Sequence, residues 1–418
     1  MNQTATIVPK GRSVSGVFWA ATLAHMSIHF AGSVNILFPV IMQDLNLNYT
    51  MIGFLTGMSS FITVPLQLAY TVIPRYVARC TLLGITSVLS SLSFFLTGLA
   101  NNFQQLFGAR AVSYLALSGH DSLQTSILAD KHEKKQLSSA LSLHYAFAYL
   151  ANTIGPLILS YLAVIFLWRQ ATMLFGAVPL VIGLATALYL RGDKCGEKTA
   201  KTATDSKLWI DIRSAFRIKG VLAILVAGIF AWGGPSMTVV STYIPLFLSR
   251  GLNVGAIETS WVYSSAIVGG ILGTIFFGRL ARKLGNLLTL VTLIGSGTVL
   301  DFLLIFQKSF GILTAIHLFL VGFSSYAMFS LMQAHLATVA TTPRQRDILC
   351  GLLFAFSWSL SPIISTLTGY LIDVHKTFDS VWIFKAALGM VAFSILTFAL
   401  ISTRQPEPLS TTKHLTTD

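Results

Sequence analysis

The sequence predicts an all-α polytopic membrane protein with twelve transmembrane helices in two pseudo-symmetric six-helix bundles. Three observations predict this fold: an apolar composition, twelve separable apolar runs, and one long polar stretch near the middle. Of the 418 residues, 54% are hydrophobic and 10% are charged, and the mean hydropathy is +0.72. Soluble domains carry roughly a quarter charged residues, so the main solvent predicted for this chain is lipid.

Twelve apolar runs lie between Pro, Gly, Asn or charged residues, and each is near the ~20 residues that a spanning helix needs. Runs this long without two-residue alternation favour helices over a barrel. The first run continues past Val40 without a small-residue cleavage site and is predicted to be a retained span. Helices 1 to 12 are predicted at 16–42, 51–73, 80–100, 104–129, 137–161, 167–190, 220–248, 256–277, 286–306, 310–340, 348–372 and 380–401.

The Lys and Arg residues fall mainly in alternate connections between these runs. The positive-inside rule then predicts a multi-pass protein of the cell inner membrane, with both termini and the 191–219 connection in the cytoplasm. This distribution also argues against nucleic-acid binding, although the net charge is +13. The opposite side carries only Arg169, Arg250, Lys308 and Lys376.

The two halves of the chain resemble each other. A shift of 206 residues places Pro39 over Pro245 and brings the Asn46 region to within a residue of Asn253. Such a parallel repeat suits a transporter whose site lies between two moving bundles. The predicted regions are an N-terminal tail (1–15), a first bundle (16–190), a cytoplasmic linker (191–219), a second bundle (220–402) and a C-terminal tail (403–418).

The sequence GRLARKLG at 278–285 joins predicted helices 8 and 9 and has glycines for a tight turn and cations for lipid headgroups. It resembles the cytoplasmic loop motif of the major facilitator superfamily, which implies the major facilitator fold and a gating role for Gly278, Arg279, Arg282 and Gly285. The first-half loop at 73–80 lacks the glycines and the acidic residue of that motif.

Three stretches, at 23–56, 118–122 and 142–157, resemble the fosmidomycin-resistance group of efflux proteins within that superfamily. His25 matches a histidine of this group, whereas His29 stands where the group has an acidic residue. NTIGP at 152–156 resembles the Gly-Pro motif of antiporters, with Gly155 for close helix approach and Pro156 for a bend. A packed kink without a functional role is the alternative.

Ionisable groups inside a span cost about 2.5–3.5 kcal/mol, so they are functional candidates. The candidates for proton coupling are Asp121, His25, His29, His120 and His144. His25, Asp121 and His144 each lie at a similar depth from the cytoplasmic end of their helices, which predicts level neighbours. The alternative is that His120 and Asp121 form a hydrogen-bonded pair that joins helices.

Arg110 on helix 4 is a candidate for attracting an anionic solute or pairing with an acid, with snorkelling to the headgroups as the alternative. Snorkelling is predicted for Lys385, and a structural role near Lys308 for Asp301. Aromatic and amide side chains suit an amphipathic organic solute. The further substrate-binding candidates are Asn35, Tyr149, Trp232, Tyr243, Tyr263, Gln333 and Trp358.

Met328, Met332 and His335 share a helix face and are weak candidates for a soft metal ion. No cofactor is predicted, because the sequence has no phosphate-binding loop and no nucleophile elbow, and an enzyme is not expected. The three cysteines are too few for a disulfide scaffold and suit a reducing side.

Together these features predict a monomeric secondary transporter that moves a small organic solute by alternating access, with proton-coupled efflux as the leading hypothesis. Three alternatives stay open: proton-coupled uptake of an organic anion, transport of a metal or metal chelate, and a membrane receptor or scaffold that has lost transport. The expected partners are the solute, protons and the lipid bilayer.

Overall fold

The computed structural model describes residues 12–198, 208–341 and 343–403. These residues form the all-α, twelve-helix fold that the sequence predicts. Helices 1 to 4 are Val14–Asp44, Tyr49–Val72, Arg79–Leu99 and Phe103–Lys131, and helices 5 and 6 share the segments Lys134–Phe175 and Ala177–Leu190. Helices 7 to 9 are Val221–Gly251, Ala256–Leu284 and Asn286–Leu303. Helix 10 is Ile312–Ser325 with Ala327–Val339, helix 11 is Pro343–Ser359 with Ser361–His375, and helix 12 is Asp379–Thr403.

Ten segments of the described residues are long and apolar enough to cross a membrane. One of them, Leu143–Leu190, contains both helix 5 and helix 6. The predicted loop at 162–166 is wrong, because helix 5 runs through it and the chain turns at Leu167, whose φ is 64°. Helix 4 is the twelfth span; its polar side chains, including Arg110 and Gln124, make it less apolar than the others.

The linker helix Leu208–Phe216 follows helix 6 and precedes helix 7. We call the end of the bundles where Arg12 contacts residues 189–193 the linker end, and the opposite end the distal end. Odd-numbered helices therefore begin at the linker end, and even-numbered helices begin at the distal end.

The backbone repeats the two-fold pattern that the sequence predicts. Val14, Tyr49 and Arg79 start helices 1 to 3, and helices 7 to 9 start 207 residues later. The left-handed residues recur in the same way: Asn46 has φ 51° and its counterpart Asn253 has φ 53°. A left-handed asparagine therefore makes the distal turn after the first helix of each bundle, a conformation that asparagine tolerates better than most residues.

The first helix of each bundle is broken. Helix 1 changes to a 3₁₀ helix over Phe30–Leu37, and helix 7 changes to a π helix over Gly233–Val239. Pro235 lies inside the helix 7 break, and Pro39 follows the helix 1 break. Because proline cannot donate the helical hydrogen bond, both prolines favour an irregular helix at these positions.

The buried hydrophobic side chains form three clusters. The largest lies in the distal half and is shared by both bundles, from Phe38 and Ile52 in the first to Ile244 and Trp382 in the second. The other two lie at the linker end, one within each bundle. The bundles therefore share one core at the distal end and have separate cores at the linker end.

Candidate functional site

Three histidines of the first bundle lie in contact between helices 1 and 5. The rings of His25 and His144 are stacked with their centroids 4.5 Å apart, and both side chains are fully buried. His29 lies one turn further along helix 1, with its Nε2 atom 2.9 Å from Nε2 of His25. We call these three residues the histidine cluster. The similar depth of His25 and His144 in their helices predicted that they are neighbours, and the structure brings these two together.

Hydrogen bonds at the edge of the cluster fix a proton position. The side-chain amide of Asn152 donates to Nδ1 of His29 over 3.2 Å, so Nε2 carries the proton of a neutral His29 ring. This proton is donated to His25, which accepts at its Nε2 atom. With this arrangement, a second proton at Nε2 of His25 would place two donors in the contact and would break the hydrogen bond between His25 and His29.

His120 and Asp121 lie on helix 4. His120 is fully buried, and its Nδ1 atom lies 3.4 Å from the side-chain nitrogen of Gln124. The side chain of Asp121 lies outside the described residues, although its backbone is within helix 4.

Arg110 is buried, with 3% of its surface exposed, so it does not snorkel. Its guanidinium donates to the carbonyl of Ala31 over 3.2 Å and lies 5.7 Å from the ring centroid of Tyr114. Ala31 belongs to the broken part of helix 1. Among the described residues, no carboxylate forms an ion pair with Arg110.

A group of four tyrosines crosses the interface between the bundles next to Arg110. Tyr149 on helix 5 meets Tyr326 on helix 10 edge-on, with ring centroids 6.4 Å apart. Tyr263 on helix 8 lies within electrostatic range of Tyr326 and of Tyr114 on helix 4. We call these residues the tyrosine group. Of its members, Tyr149 and Tyr263 were predicted from the sequence, and Tyr114 and Tyr326 were missed.

Trp232 and Trp358 form an aromatic cluster in the second bundle. The Trp232 ring stacks on Phe329 with centroids 3.9 Å apart and meets Trp358 edge-on at 5.4 Å. Gln333, one turn from Phe329, is half-buried. These contacts place Trp232 in packing between helices 7, 10 and 11.

The weak metal candidates Met328, Met332 and His335 lie on helix 10. Met332 is fully buried in the core of the second bundle, and Met328 lies 4.0 Å from the hydroxyl of Ser236. His335 is half-buried. Within the described ranges, no group of three or more His, Cys, Asp or Glu residues has a metal-site arrangement.

Tyr243 and Asn35 lie at the interface where the two bundles are in contact in the distal half. We call this interface the distal seam. Tyr243 is fully buried and donates to the backbone carbonyl of Ser365 over 2.9 Å. The Asn35 amide contacts Ser241 across the interface at 3.4 Å. In this conformation both residues hold the bundles together.

The most extensive seam contact is one that the sequence reasoning missed. Asp373 on helix 11 accepts hydrogen bonds from the backbone nitrogens of Tyr49 and Thr50, at 3.2 and 2.8 Å, and from the Thr50 hydroxyl at 2.6 Å. Asn48 accepts from the next backbone nitrogen of helix 2. Two of the unsatisfied donors at the start of helix 2 are therefore capped by the other bundle.

Glycines allow helices 2 and 11 to approach closely along the same seam. A Cβ atom on Gly53 would collide with the backbone of Ser365, and one on Gly57 would lie 2.7 Å from the carbonyl oxygen of Ser361. The G-x-x-x-G spacing of Gly53 and Gly57 was a readable signal for such an interface.

The gating candidates take different positions. Gly155 packs helix 5 against Ser33 in the broken part of helix 1, within the same bundle, and helix 5 continues through Pro156. Gly285 ends helix 8 with φ 83°, as a tight turn requires. Gly278, Arg279 and Arg282 are exposed at the linker end.

Two interpretations of charged residues are wrong. Lys385 does not snorkel, because it forms a buried ion pair with Asp301, and the two side chains are 3% and 6% exposed. Lys308 pairs with Asp379 instead of Asp301. The pairing partner of Asp301 lies 84 residues away on helix 12, which spacing along the chain does not indicate.

At the linker end, the chain after helix 6 is fixed to the first bundle. Asp193 accepts from the Lys131 ammonium over 2.9 Å and from the backbone nitrogen of Arg12 over 2.7 Å. Burial raises the pKa of Asp193, but these hydrogen bonds outweigh it, so the pKa lies below its usual range. Burial raises the pKa of the neighbouring Cys195 thiol to about 12.

Sequence comparisons identify relatives of this chain. The profile of the Major Facilitator Superfamily matches residues 17–366. An uncharacterized MFS-type transporter, YybF, of Bacillus subtilis (strain 168) is 19% identical over 66% of this chain and 67% of its own length. A putative proline/betaine transporter of Staphylococcus aureus (strain COL) is 24% identical over 71% of this chain and 62% of its own length. The match thus spans less than two thirds of the latter protein.

Solved structures share the fold. The nucleoside transporter NupG superimposes with a TM-score of 0.73 at 12% identity, covering 92% of this chain and 99% of its own. A bacterial homolog of the human lysosomal transporter Spinster, in an inward-facing conformation, gives 0.71 at 14% identity, covering 93% and 95%. With twelve helices in two bundles and a family match over most of its length, this chain is a multi-pass membrane transporter that belongs to the Major Facilitator Superfamily.

Proposed function

We propose that this protein is a proton-coupled secondary transporter that moves a small organic solute by alternating access. The observation that carries the proposal is the histidine cluster, in which His25 stacks on His144 and lies in hydrogen-bond contact with His29 inside the first bundle. Histidine suits this role because its ordinary pKa, about 6.5, is near the working pH. Asp121, one residue from His120, is the carboxylate that we propose to act with the cluster.

Alternating access is supported by the packing of the two bundles. Between described residues, the hydrogen bonds that cross the bundle interface lie in the distal half, as with Asp373 and Tyr243. The cation-rich connections lie at the linker end, which makes that end cytoplasmic under the positive-inside rule. We therefore propose that the protein lies in the cell inner membrane as a monomer, and that this conformation is closed to the outside.

The proposed direction is efflux by proton antiport. Its support is the Gly155-Pro156 motif and the resemblance of the first half to the fosmidomycin-resistance group. Uptake of an organic anion is the second candidate function, and it is favoured by one observation, the buried Arg110, which has no carboxylate partner among the described residues. The relative named as a putative proline/betaine transporter is consistent with recognition of a carboxylate, because both of those zwitterionic solutes carry one.

Transport into proteoliposomes with an imposed pH gradient tests the proposal. The solutes are radiolabelled glycine betaine, a nucleoside, a dipeptide and benzoate, and the sign of the gradient that drives accumulation separates antiport from symport. We expect His25→Gln and His144→Gln to lose gradient-driven accumulation and to keep exchange of solute without a gradient, since only the proton step is removed.

The matched control is His375→Gln, which replaces an exposed histidine at the distal end of helix 11. It should accumulate solute like the wild type. Gradient-driven transport at wild-type rates by both cluster variants would overturn the role of the histidines, and the same result with Asp121→Asn would remove Asp121 from the proposal.

A further inference from the structure

Arg110 is a buried cation that has no counter-charge among the described residues. It is 3% exposed, and its partners in that part of the chain are the neutral Ala31 carbonyl and Tyr114. Two other cations that are buried in the described helices each have a carboxylate partner: Lys385 pairs with Asp301, and Arg79 pairs with Asp130. Arg110 therefore lacks the carboxylate partner that is expected of a buried cation with a structural role.

Asp121 cannot supply the missing charge. It lies on the same helix as Arg110, eleven residues further along, which is about 16 Å of helix axis at 1.5 Å per residue. An ion pair requires nitrogen and oxygen atoms within about 4 Å of each other.

An uncompensated charge in a low-dielectric interior costs several kcal/mol. A protein that keeps such a charge gains when a ligand brings the opposite one. Arginine is the residue best suited to this role, since its planar fork can bind both oxygens of a carboxylate or phosphate.

The surroundings of Arg110 suit the rest of such a ligand. The tyrosine group lies beside it, with Tyr114 and Tyr149 from the first bundle and Tyr263 and Tyr326 from the second. Phenol rings pack against apolar or aromatic groups, and their hydroxyls donate hydrogen bonds. A ligand at this position would touch both bundles, which a transported solute must do.

We propose that the solute carries an oxyanion group, a carboxylate or a phosphate, that binds Arg110 while its organic part packs against the tyrosine group. This inference rests on the proposed transport function and names its substrate class. It also predicts that Arg110 lowers the stability of the empty protein.

Thermal unfolding of the purified full-length protein tests the proposal. The probes are benzoate, phenyl phosphate and benzamide, a neutral analogue of benzoate, with sodium chloride added to equal ionic strength. Benzoate or phenyl phosphate should raise the Tm of the wild type, because only a ligand of the folded protein does so. Benzamide should not, and the larger of the two oxyanion shifts identifies the carboxylate or the phosphate as the preferred group.

Arg110→Gln should weaken oxyanion binding by roughly 30-fold or more, which is typical of losing one partner of a buried charge pair. Without ligand, this variant should unfold at the wild-type Tm or above it. The control is Arg169→Gln, which removes an arginine paired with Asp44 at the distal surface and should keep the oxyanion shift. Equal shifts with benzamide and benzoate, or an undiminished benzoate shift in Arg110→Gln, would overturn the proposal.

A measurement on the wild type keeps the test valid if Arg110→Gln does not fold. Phenylglyoxal modifies arginine, and benzoate should protect Arg110 from modification, as read by mass spectrometry. Unchanged modification of Arg110 in saturating benzoate would refute the site. These experiments use no pH gradient, so they test oxyanion binding separately from proton coupling. If oxyanions bind but a pH gradient does not drive transport, only the proposed proton coupling is wrong. If a pH gradient drives transport but oxyanions do not bind, only the inference about Arg110 is wrong.

Discussion

Replacing Asp373 by alanine should open the distal end of the protein. Asp373 is the residue through which helix 11 caps helix 2, with three hydrogen bonds of 2.6 to 3.2 Å to Tyr49 and Thr50. These bonds cross the bundle interface, so they exist only while the distal end is closed. The negative charge at the start of helix 2 is also favourable because it lies at the positive end of the helix dipole.

The size of the effect follows from this geometry. A hydrogen bond to a charged group contributes about 1.5–3 kcal/mol. Asp373 is partly buried, and water replaces some of its bonds when the seam opens, so we expect a loss of about 2–3 kcal/mol rather than the sum of three bonds. Since 1.4 kcal/mol is a factor of ten, the ratio of open to closed protein should rise roughly 30- to 150-fold.

Alkylation of a seam cysteine measures this ratio. Ser365 is fully buried between helices 11 and 2, and Ser365→Cys should react with a membrane-impermeant maleimide only when the seam opens. Its rate then follows the open fraction even when that fraction is small. The background replaces Cys80, Cys195 and Cys350 by serine.

In that background, Asp373→Ala should raise the alkylation rate by the stated factor. The control Asp44→Ala removes a distal carboxylate that pairs within the first bundle, with Arg169, and should change the rate less than about twofold. A rate within about twofold of the wild type for Asp373→Ala would refute the reasoning, as would an equal increase for the control.

Three further outcomes are expected. Gly57→Leu should also speed alkylation at the seam, because its Cβ would lie 2.7 Å from a helix 11 carbonyl, whereas Gly108→Ala, which meets nothing within 4 Å, should not. Asp193→Asn should lower the Tm at pH 7, and the difference in Tm from the wild type should become smaller below about pH 4. The reason is that folding lowers the pKa of this carboxylate. Such a group stabilises the folded protein above its unfolded pKa, and this stabilisation is lost as the pH falls. Lys385→Met alone should lower the free energy of unfolding by about 3–5 kcal/mol in chemical denaturation, since it leaves a buried Asp301 without its partner. The double variant Lys385→Met with Asp301→Asn should recover most of that loss, and equal free energies of unfolding for the single and double variants would contradict the buried pair.

The sequence predicted the helices well, because hydropathy and helix length are local properties. It placed a loop at 162–166, where the structure continues helix 5 to a turn at Leu167. All five residues before that turn are apolar, so composition did not indicate where one span ends and the next begins. The repeat was readable because Asn46 and Asn253 are both needed for the same left-handed turn.

The site was harder to predict, because its residues are brought together by the packing of different helices and not by their spacing along the sequence. His25 and His144 could be matched by depth, as both lie a similar distance from the ends of their helices. Tyr243 and Asn35 looked like cavity walls but lie in the distal seam, because a side chain's direction depends on how the bundles close. Asp373 gave no signal, since its partner is the backbone of a helix 324 residues away.

Proton coupling requires that solute movement be accompanied by proton movement, which can be measured. Proteoliposomes that contain a trapped pH-sensitive dye report the internal pH when a transported solute from the panel is added outside in weak buffer. We expect a pH change with the wild type and none with His25→Gln or His144→Gln, although all three still exchange solute. Solute transport by the wild type with no change in internal pH, or the same change in the two variants, would rule out proton coupling through these histidines.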